Sequence, residues 1–322
     1  MSEQFNTGYL AIDFGGTRIR AAWFSPDLRM VARHEALTNA AEGPIRVVKR
    51  VIQSGQQAVP SGATILAIGI AAPGPLSPLT GVIYHADTLP GWENVPLGPL
   101  VSAAFKGVPV FVHNDANLAA LAEHQQGAGR KFGLFADPML YLTISTGIGG
   151  GVIIGGQLFS GWSGLAAEPG HMPFRMADGS VKKWEQLASG TALGLAAQER
   201  LATWEGDTVL RQATPLDGQA VGTAALKGDP LALAVVEGAA EWLGLGLVSL
   251  IHLFSPEKIV LGGSVTQLGD LLLAPAKRVI EAHILDPLFL PRDLIRLATL
   301  GDDAGLIGAA LYAHQRHTAI AP

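Results

Sequence analysis

A chain of 322 residues, 48% of them hydrophobic and 40 of them glycine, is long and apolar enough for two domains with separate cores, and too apolar to be disordered. Its 22 basic and 27 acidic residues leave a formal charge of −5 with no basic block, which excludes a dedicated nucleic-acid surface. There is no cysteine, so disulfides and thiolate metal sites are excluded, as suits a reducing cytoplasm.

The opening stretch, MSEQFNTGY, has neither the basic nor the apolar segment of a signal peptide. Residues 8–13 read as a buried strand and 18–24 as its hairpin partner, with a partly alternating third strand at 30–37. Ile45, Val48, Val51 and Ile52 share one face of a helix over 44–58. A strand at 64–75 runs into a Gly/Pro turn, and a strand at 109–115 leads into a glycine-closed helix at 116–127. A second hairpin follows: LYLTIS, the turn TGIGGG, then VIIGGQLF. Helices are expected near 190–201, 231–253, 269–284 and 303–315, with strands at 258–263 and 295–300. The longest apolar run, around 243–254, falls short of the about 20 residues of a membrane span.

Strands alternate with helices throughout, which predicts an α/β fold. The strand–glycine turn–strand unit near residue 13 returns near residue 146, so two similar halves are expected. We place the boundary after Asp115: a smaller domain of 1–115 plus about 302–322, and a larger one of 116–301.

The glycine turns carry the first chemical signal. The Walker A pattern is absent, and the dinucleotide pattern fails because Val152 stands where its third glycine belongs. Both patterns also need a helix after the turn, whereas a strand follows here. What remains is a pair of hairpins whose glycines permit positive φ and let backbone N–H groups approach an anion. Asp13, just before the first turn, would repel a phosphate unless Mg²⁺ lay between them. With a third glycine pair at 262–263, the set suggests a nucleotide: two turns on its phosphates and one under its base.

In order along the chain, AIDFGGTRIR, VHNDANLAALAE, STGIGGGVIIGG, EPGH, EQLASGTAL, IVLGGSV and LGDDAGLIGAA resemble the successive signatures of the ROK sugar kinases, of the actin/hexokinase ATPase superfamily. The resemblance runs from about residue 9 to 312. It implies two RNase H-like domains with mixed sheets flanked by helices, and an active site for ATP, Mg²⁺ and a hexose in the cleft between them. It implies Asp115 as the catalytic base and Asn114, Glu168, His171 and Glu185 as sugar ligands, with Gly74 and Asn94 at the rim. Taken singly, Asn114 or Asp115 reads equally as a helix N-cap, Glu185 as a solvated first-turn acid and His171 as a turn histidine. By the same resemblance Asp13 holds Mg²⁺ through water. Gly15, Gly16, Thr17, Thr146, Gly147, Gly149 and Gly150 hold the triphosphate, and Gly262 and Gly263 make room for adenosine.

The implied activity is ATP-dependent phosphorylation of a hexose, glucose first, in carbohydrate metabolism such as glycolysis, by a cytoplasmic homodimer without nucleic-acid or membrane partners. Mannose, fructose, N-acetylglucosamine and N-acetylmannosamine are the other acceptors, and a sugar-binding relative without catalysis is a further alternative. The family's sugar-responsive repressors carry a winged helix ahead of the first glycine turn, where only twelve residues precede Asp13 here. A glycosidase using two of the acids would leave the glycine turns without a purpose. Many ROK kinases carry Cys-x-Cys-Gly-x-x-Gly-Cys before the second sugar-binding Glu, whose thiolates share a zinc with the motif histidine. This chain has MPFRMADGSVKKWEQ instead, so no structural zinc is expected and His171 needs another means of orientation. His34, His85, His113, His124, His252, His283, His314 and His317 show no metal-ligand spacing and read as structural.

Overall fold

Five consecutive residues of β1 (Thr7–Phe14), Gly8 to Ile12, are buried, as a strand enclosed on both faces requires. The structure is a computed structural model that describes residues 6–131 and 134–320; most of the opening stretch read for a signal peptide lies outside these. The chain divides into two units: residues 1–127, 157–166 and 300–322 form one, and 128–156 and 167–299 the other.

In the first unit β1 pairs antiparallel with β2 (Arg18–Phe24), and β2 with β3 (Met30–Leu37). On its other side β1 runs parallel to β4 (Thr64–Ala72), and β4 to β5 (Val110–Asn114). The sheet is therefore mixed, in the order β3-β2-β1-β4-β5. Alternation along β1 divides its side chains between two cores. Leu10, Ile12 and Phe14 join Val47 and Val51 of α1 (Pro44–Ala58), while Tyr9 and Ala11 join Leu306, Ala309 and Ala310 of the C-terminal helix Ala304–Ile320. The C-terminal helix thus returns to the first unit. So does α2 (Asp115–Gln126), whose Leu118 lies in the same core; the contacts keep this helix with the strands before it, one helix beyond Asp115.

The second unit repeats the plan. Its β6 (Met139–Ile144) pairs antiparallel with β7 (Ile148–Ile154) and parallel with β8 (Lys258–Gly262), which pairs with β9 (Ile295–Leu297). The order β7-β6-β8-β9 answers β2-β1-β4-β5 strand for strand, as the sequence echo led us to expect. The turn between β6 and β7 is shorter than the sequence reading had it, because Ile148–Gly151 already pair in the ladder.

The apolar run at 243–254 is the second half of one helix, Pro230–Phe254, which at 25 residues and mean hydropathy 1.6 is long and apolar enough to cross a membrane. Counting only the run understated it. Thirteen of its residues are buried within the second unit, including Leu231, Val235, Leu243 and Ile251, so it serves there as a core helix. The sequence reading also passed over a three-stranded sheet at 76–77, 82–85 and 93–95, and a helix at Gly218–Leu226.

Gly308 on the C-terminal helix shows how tightly the layers pack. A Cβ there would lie 3.0 Å from Leu118 Cα, with no side chain able to yield. We predict that Gly308→Val destabilises the protein by at least about 2 kcal/mol in urea unfolding, through overpacking of the joint between α2 and the C-terminal helix.

Candidate active site

In the first unit, Asp13 near the end of β1 stands directly across the ladder from Arg20. Arg20 Nη1 donates to Asp13 Oδ2 at 3.2 Å and Nη2 donates to Asp302 Oδ2 at 3.1 Å, while Nε lies 3.7 Å from Glu35 Oε2. One guanidinium therefore serves three carboxylates. A Cβ on Gly305 would fall 2.6 Å from Asp13 Cγ, so the carboxylate lies against the first turn of the C-terminal helix. Burial pushes Asp13 up to about 6, and the negative charge of Asp115 adds to this, against the lowering effect of Arg20. Surplus negative charge on hard oxygen donors fits a cation such as Mg²⁺.

The first turn is held by its own hairpin and by the next strand. Gly15 N donates to Arg18 O at 3.0 Å, and Thr38 Oγ1 donates to Gly15 O at 2.6 Å. Gly15 has open space where a side chain would project, whereas a Cβ on Gly16 would meet Thr88 at 2.9 Å. Gly15, Gly16, Gly147 and Gly150 do not adopt the left-handed backbone that the sequence reading allowed them. Close approach and open space explain these glycines; positive φ does not.

At the end of β5, Asn114 caps α2: its Oδ1 accepts from Ala116 N at 3.0 Å and Asn117 N at 3.3 Å. The cap reading and the ligand reading are compatible, because capping uses Oδ1 and leaves the amide Nδ2 donors for another partner. A Cβ on Gly74 would lie 3.4 Å from that Nδ2, which puts the two residues side by side. Asp115, the first residue of the helix, is exposed, and its Oδ1 accepts from Ala116 N at 2.7 Å. Asn94 sits apart in sequence on the small sheet, exposed and left-handed at φ 52°.

In the second unit the turn after β6 docks on a helix start. Gly190 N donates to Ser145 O at 2.6 Å, and Thr191 N donates to Thr146 O at 3.4 Å. A Cβ on Gly147 would meet Glu185 Oε2 at 2.7 Å, and one on Gly150 would meet Pro169 at 2.8 Å. The glycines of this hairpin thus admit the two segments that carry the acids. Gly149, opposite Thr143, belongs to the ladder rather than to the turn. Glu168, His171 and Glu185 share one electrostatic neighbourhood: partial burial raises Glu168, His171 opposes that rise and Glu185 adds to it.

A hairpin of Pro173–Arg175 with Val181–Lys183 lies between His171 and Glu185, where the sequence reading expected no structural zinc. Asp178 Oδ1 closes its tip by accepting from Ser180 N at 2.9 Å and Ser180 Oγ at 2.6 Å. Its base is closed by Trp184 N, which donates to Met172 O at 2.9 Å, so the neighbours of His171 and Glu185 are bonded directly. Trp184 is fully buried and donates Nε1–H to Trp242 O at 2.8 Å. Backbone pairing and one buried indole here tie together the two sequence segments that carry His171 and Glu185. Among the described residues no cluster of three or more His, Cys, Asp or Glu could hold a metal ion.

Beside this turn opens a cavity of about 770 Å³, bordered by Thr146, Thr191, Gln198, Gln219, Ser264 and Val265 among others. Gly262 and Gly263 lead into its wall; Gly263 is left-handed at φ 90°, and a Cβ on Gly262 would meet Tyr141 Oη at 2.7 Å. The sequence reading named Thr146 and expected the helix Gly190–Leu201 without giving it a role here, and it missed the helix Gly218–Leu226; these two helices supply most of the lining. It also missed Arg20, which the hairpin register places opposite Asp13, and Asp302, which stood in a quoted motif without a role.

These features define an ATP-dependent sugar kinase of the actin-like ATPase fold. The ROK family model matches residues 9–316, and the chain belongs to that family. It is 33% identical to the glucokinase of Halalkalibacterium halodurans, over 97% of this chain and 96% of that one. It is 31% identical to the N-acetylmannosamine kinase of Citrobacter koseri, over 94% and 98%. Among solved structures, the ROK glucokinase of Streptomyces griseus in complex with glucose and AMPPNP matches with a TM-score of 0.76 at 32% identity, covering 95% of this chain and 99% of that one.

Two measurements check this geometry. Because Asp13 is raised to about 6, the folded protein binds more protons than the unfolded chain from about pH 4 to 6; stability falls as pH climbs through that window, and the full penalty is present at pH 7. Asp13→Asn is therefore expected to raise the thermal midpoint at pH 7.5 without Mg²⁺ by up to about 3–4 °C, the penalty being roughly 2–3 kcal/mol at most. Dialysis against a zinc chelator, followed by Mg²⁺ alone, is expected to leave both activity and thermal midpoint unchanged; a need for added zinc would contradict the hairpin's role.

Proposed function

We propose that this protein transfers the terminal phosphoryl group of ATP to a hydroxyl of a hexose, glucose in the first place, with Asp115 as the general base. The observation that carries this reading is the pairing in the first unit. Asp13, beside the first glycine turn, is raised first by its burial and then by the charge of the exposed Asp115 at the start of α2, so a proton acceptor and a cation-seeking group lie within one electrostatic field. Likeness to the H. halodurans glucokinase and the S. griseus complex supports glucose and ATP.

In this mechanism Asp13 would hold Mg²⁺ through water, and the ion would neutralise phosphate charge when bound. Backbone N–H groups at Gly16–Thr17 and Thr146–Gly147 take phosphate oxygens, and the cavity past Gly263 takes the adenosine. Asn114 Nδ2, Glu168, His171 and Glu185 bind the ring hydroxyls, the carboxylates accepting and the amide donating. Asp115 accepts the proton of the attacking hydroxyl as its oxygen bonds to the γ-phosphorus and the bridging P–O bond to ADP breaks. Orientation supplies most of the acceleration, and the base adds about 10²–10⁴-fold.

A second reading, phosphorylation of an N-acetylhexosamine, is favoured by likeness to the C. koseri N-acetylmannosamine kinase; mannose and fructose remain acceptors to assay. We further propose a cytoplasmic homodimer, in keeping with a chain that has no cysteine. A coupled ADP-release assay over glucose, mannose, fructose and the N-acetylated amino sugars tests the acceptor, with glucose expected to give the highest kcat/KM. Asp115→Asn is expected to retain sugar binding by calorimetry while kcat falls at least about 10²-fold, and unchanged turnover would remove Asp115 from the role.

A further inference from the structure

His113 precedes Asn114 and Asp115 in β5, and none of it is accessible to solvent. Its Nδ1 accepts the backbone N–H of Asn114 at 2.9 Å. A nitrogen that accepts carries no proton, so the neutral ring bears its proton on Nε2. That nitrogen lies 3.1 Å from Ser160 Oγ, to which it donates. The edge of Tyr312, on the C-terminal helix, fixes the ring plane, with centroids 5.3 Å apart and planes at 89°. Burial pushes His113 down to about 4, so it stays neutral across the working pH range.

Ser160 is itself constrained. Its carbonyl accepts from Ala166 N at 3.2 Å, closing the loop 160–166. A continuous chain of bonds therefore runs from the peptide of Asn114, through the imidazole and the Ser160 hydroxyl, to the closed loop 160–166.

We infer that His113 is a positioning residue, with Ser160 as its partner: it holds the Asn114 peptide in a fixed relation to the loop 160–166, so that the Asn114 side chain is presented to the sugar in one orientation. This rests on the kinase reading above. Nδ1 sets the direction of the Asn114 N–H, and Nε2 sets the loop; a side chain that satisfied only one of them would break the relation. Neither residue touches a nucleotide in this scheme, so their removal weakens the sugar side alone.

The test is steady-state kinetics of His113→Asn, which retains an acceptor near the Nδ1 position and loses the donor, of Ser160→Ala, and of the double variant. Each single change is expected to raise the KM for the sugar about tenfold, the scale of one buried hydrogen bond, with the KM for ATP within about twofold of wild type. The double variant is expected to be no worse than the weaker single one, because both changes cut the same link. Ser160→Thr, which keeps the hydroxyl, is expected to restore the sugar KM to within about threefold. An unchanged sugar KM in Ser160→Ala, equal shifts in both KM values, or multiplying effects in the double variant would overturn the inference. A wild-type protein inactive on the whole sugar panel would instead sink the kinase reading. Ring ¹⁵N shifts separate the two cases, since a proton found on Nδ1 of His113 refutes the link whatever the activity.

Discussion

Arg20 spans the carboxylates of Asp13 and Asp302 and reaches toward Glu35, and the first unit's candidate site depends on that compensation. Without that cation the half-buried Asp13, repelled by Asp115 and Asp302, would prefer still more strongly to be protonated. The guanidinium suits the task because it stays charged and offers donors in several directions at once. It does not finish the task, since Asp13 remains raised to about 6. The residual negative charge is what a divalent ion and its phosphates would meet, so an arrangement that costs stability also prepares the site.

The duplicated sheet explains where the chemistry can be placed. In each unit the first hairpin turn lies at the edge of a parallel pair, β1–β4 or β6–β8, and the segment after that pair returns near the same end. Asn114 ends β5 and Asp115 begins α2, while Gly262 ends β8 and Gly263 follows it. The two units have since diverged in what they attach to that frame. One carries the acids around Arg20, and the other carries Glu168, His171 and Glu185 with a large cavity beside them.

Much of this was legible in the residues themselves. Runs of buried apolar residues marked β1, β4 and β6, and an Asp before paired glycines marked the first turn. Arg20 was legible only through the register, since its role comes from standing opposite Asp13 across a hairpin rather than from any local pattern. The helix Gly218–Leu226 escaped because two glycines and a run of small residues blur its period, though its Asp217 cap is ordinary. The hairpin at 173–183 escaped for another reason: its second strand, Val181–Lys183, is exposed at every position and has no buried face to betray it. His113 looked structural by spacing, and only its two bonds give it a direction.

The hairpin that replaces the thiolate loop changes what can damage the protein. A fold that binds zinc through cysteines is exposed to peroxide, to electrophiles and to metal starvation, each of which removes a ligand or the ion itself. Here the corresponding segments are joined by an amide-to-carbonyl bond between Trp184 and Met172 and by an indole sealed in the interior, neither of which offers a thiol to oxidise. With no cysteine in the sequence, a thiol-directed oxidant finds nothing to attack at this joint.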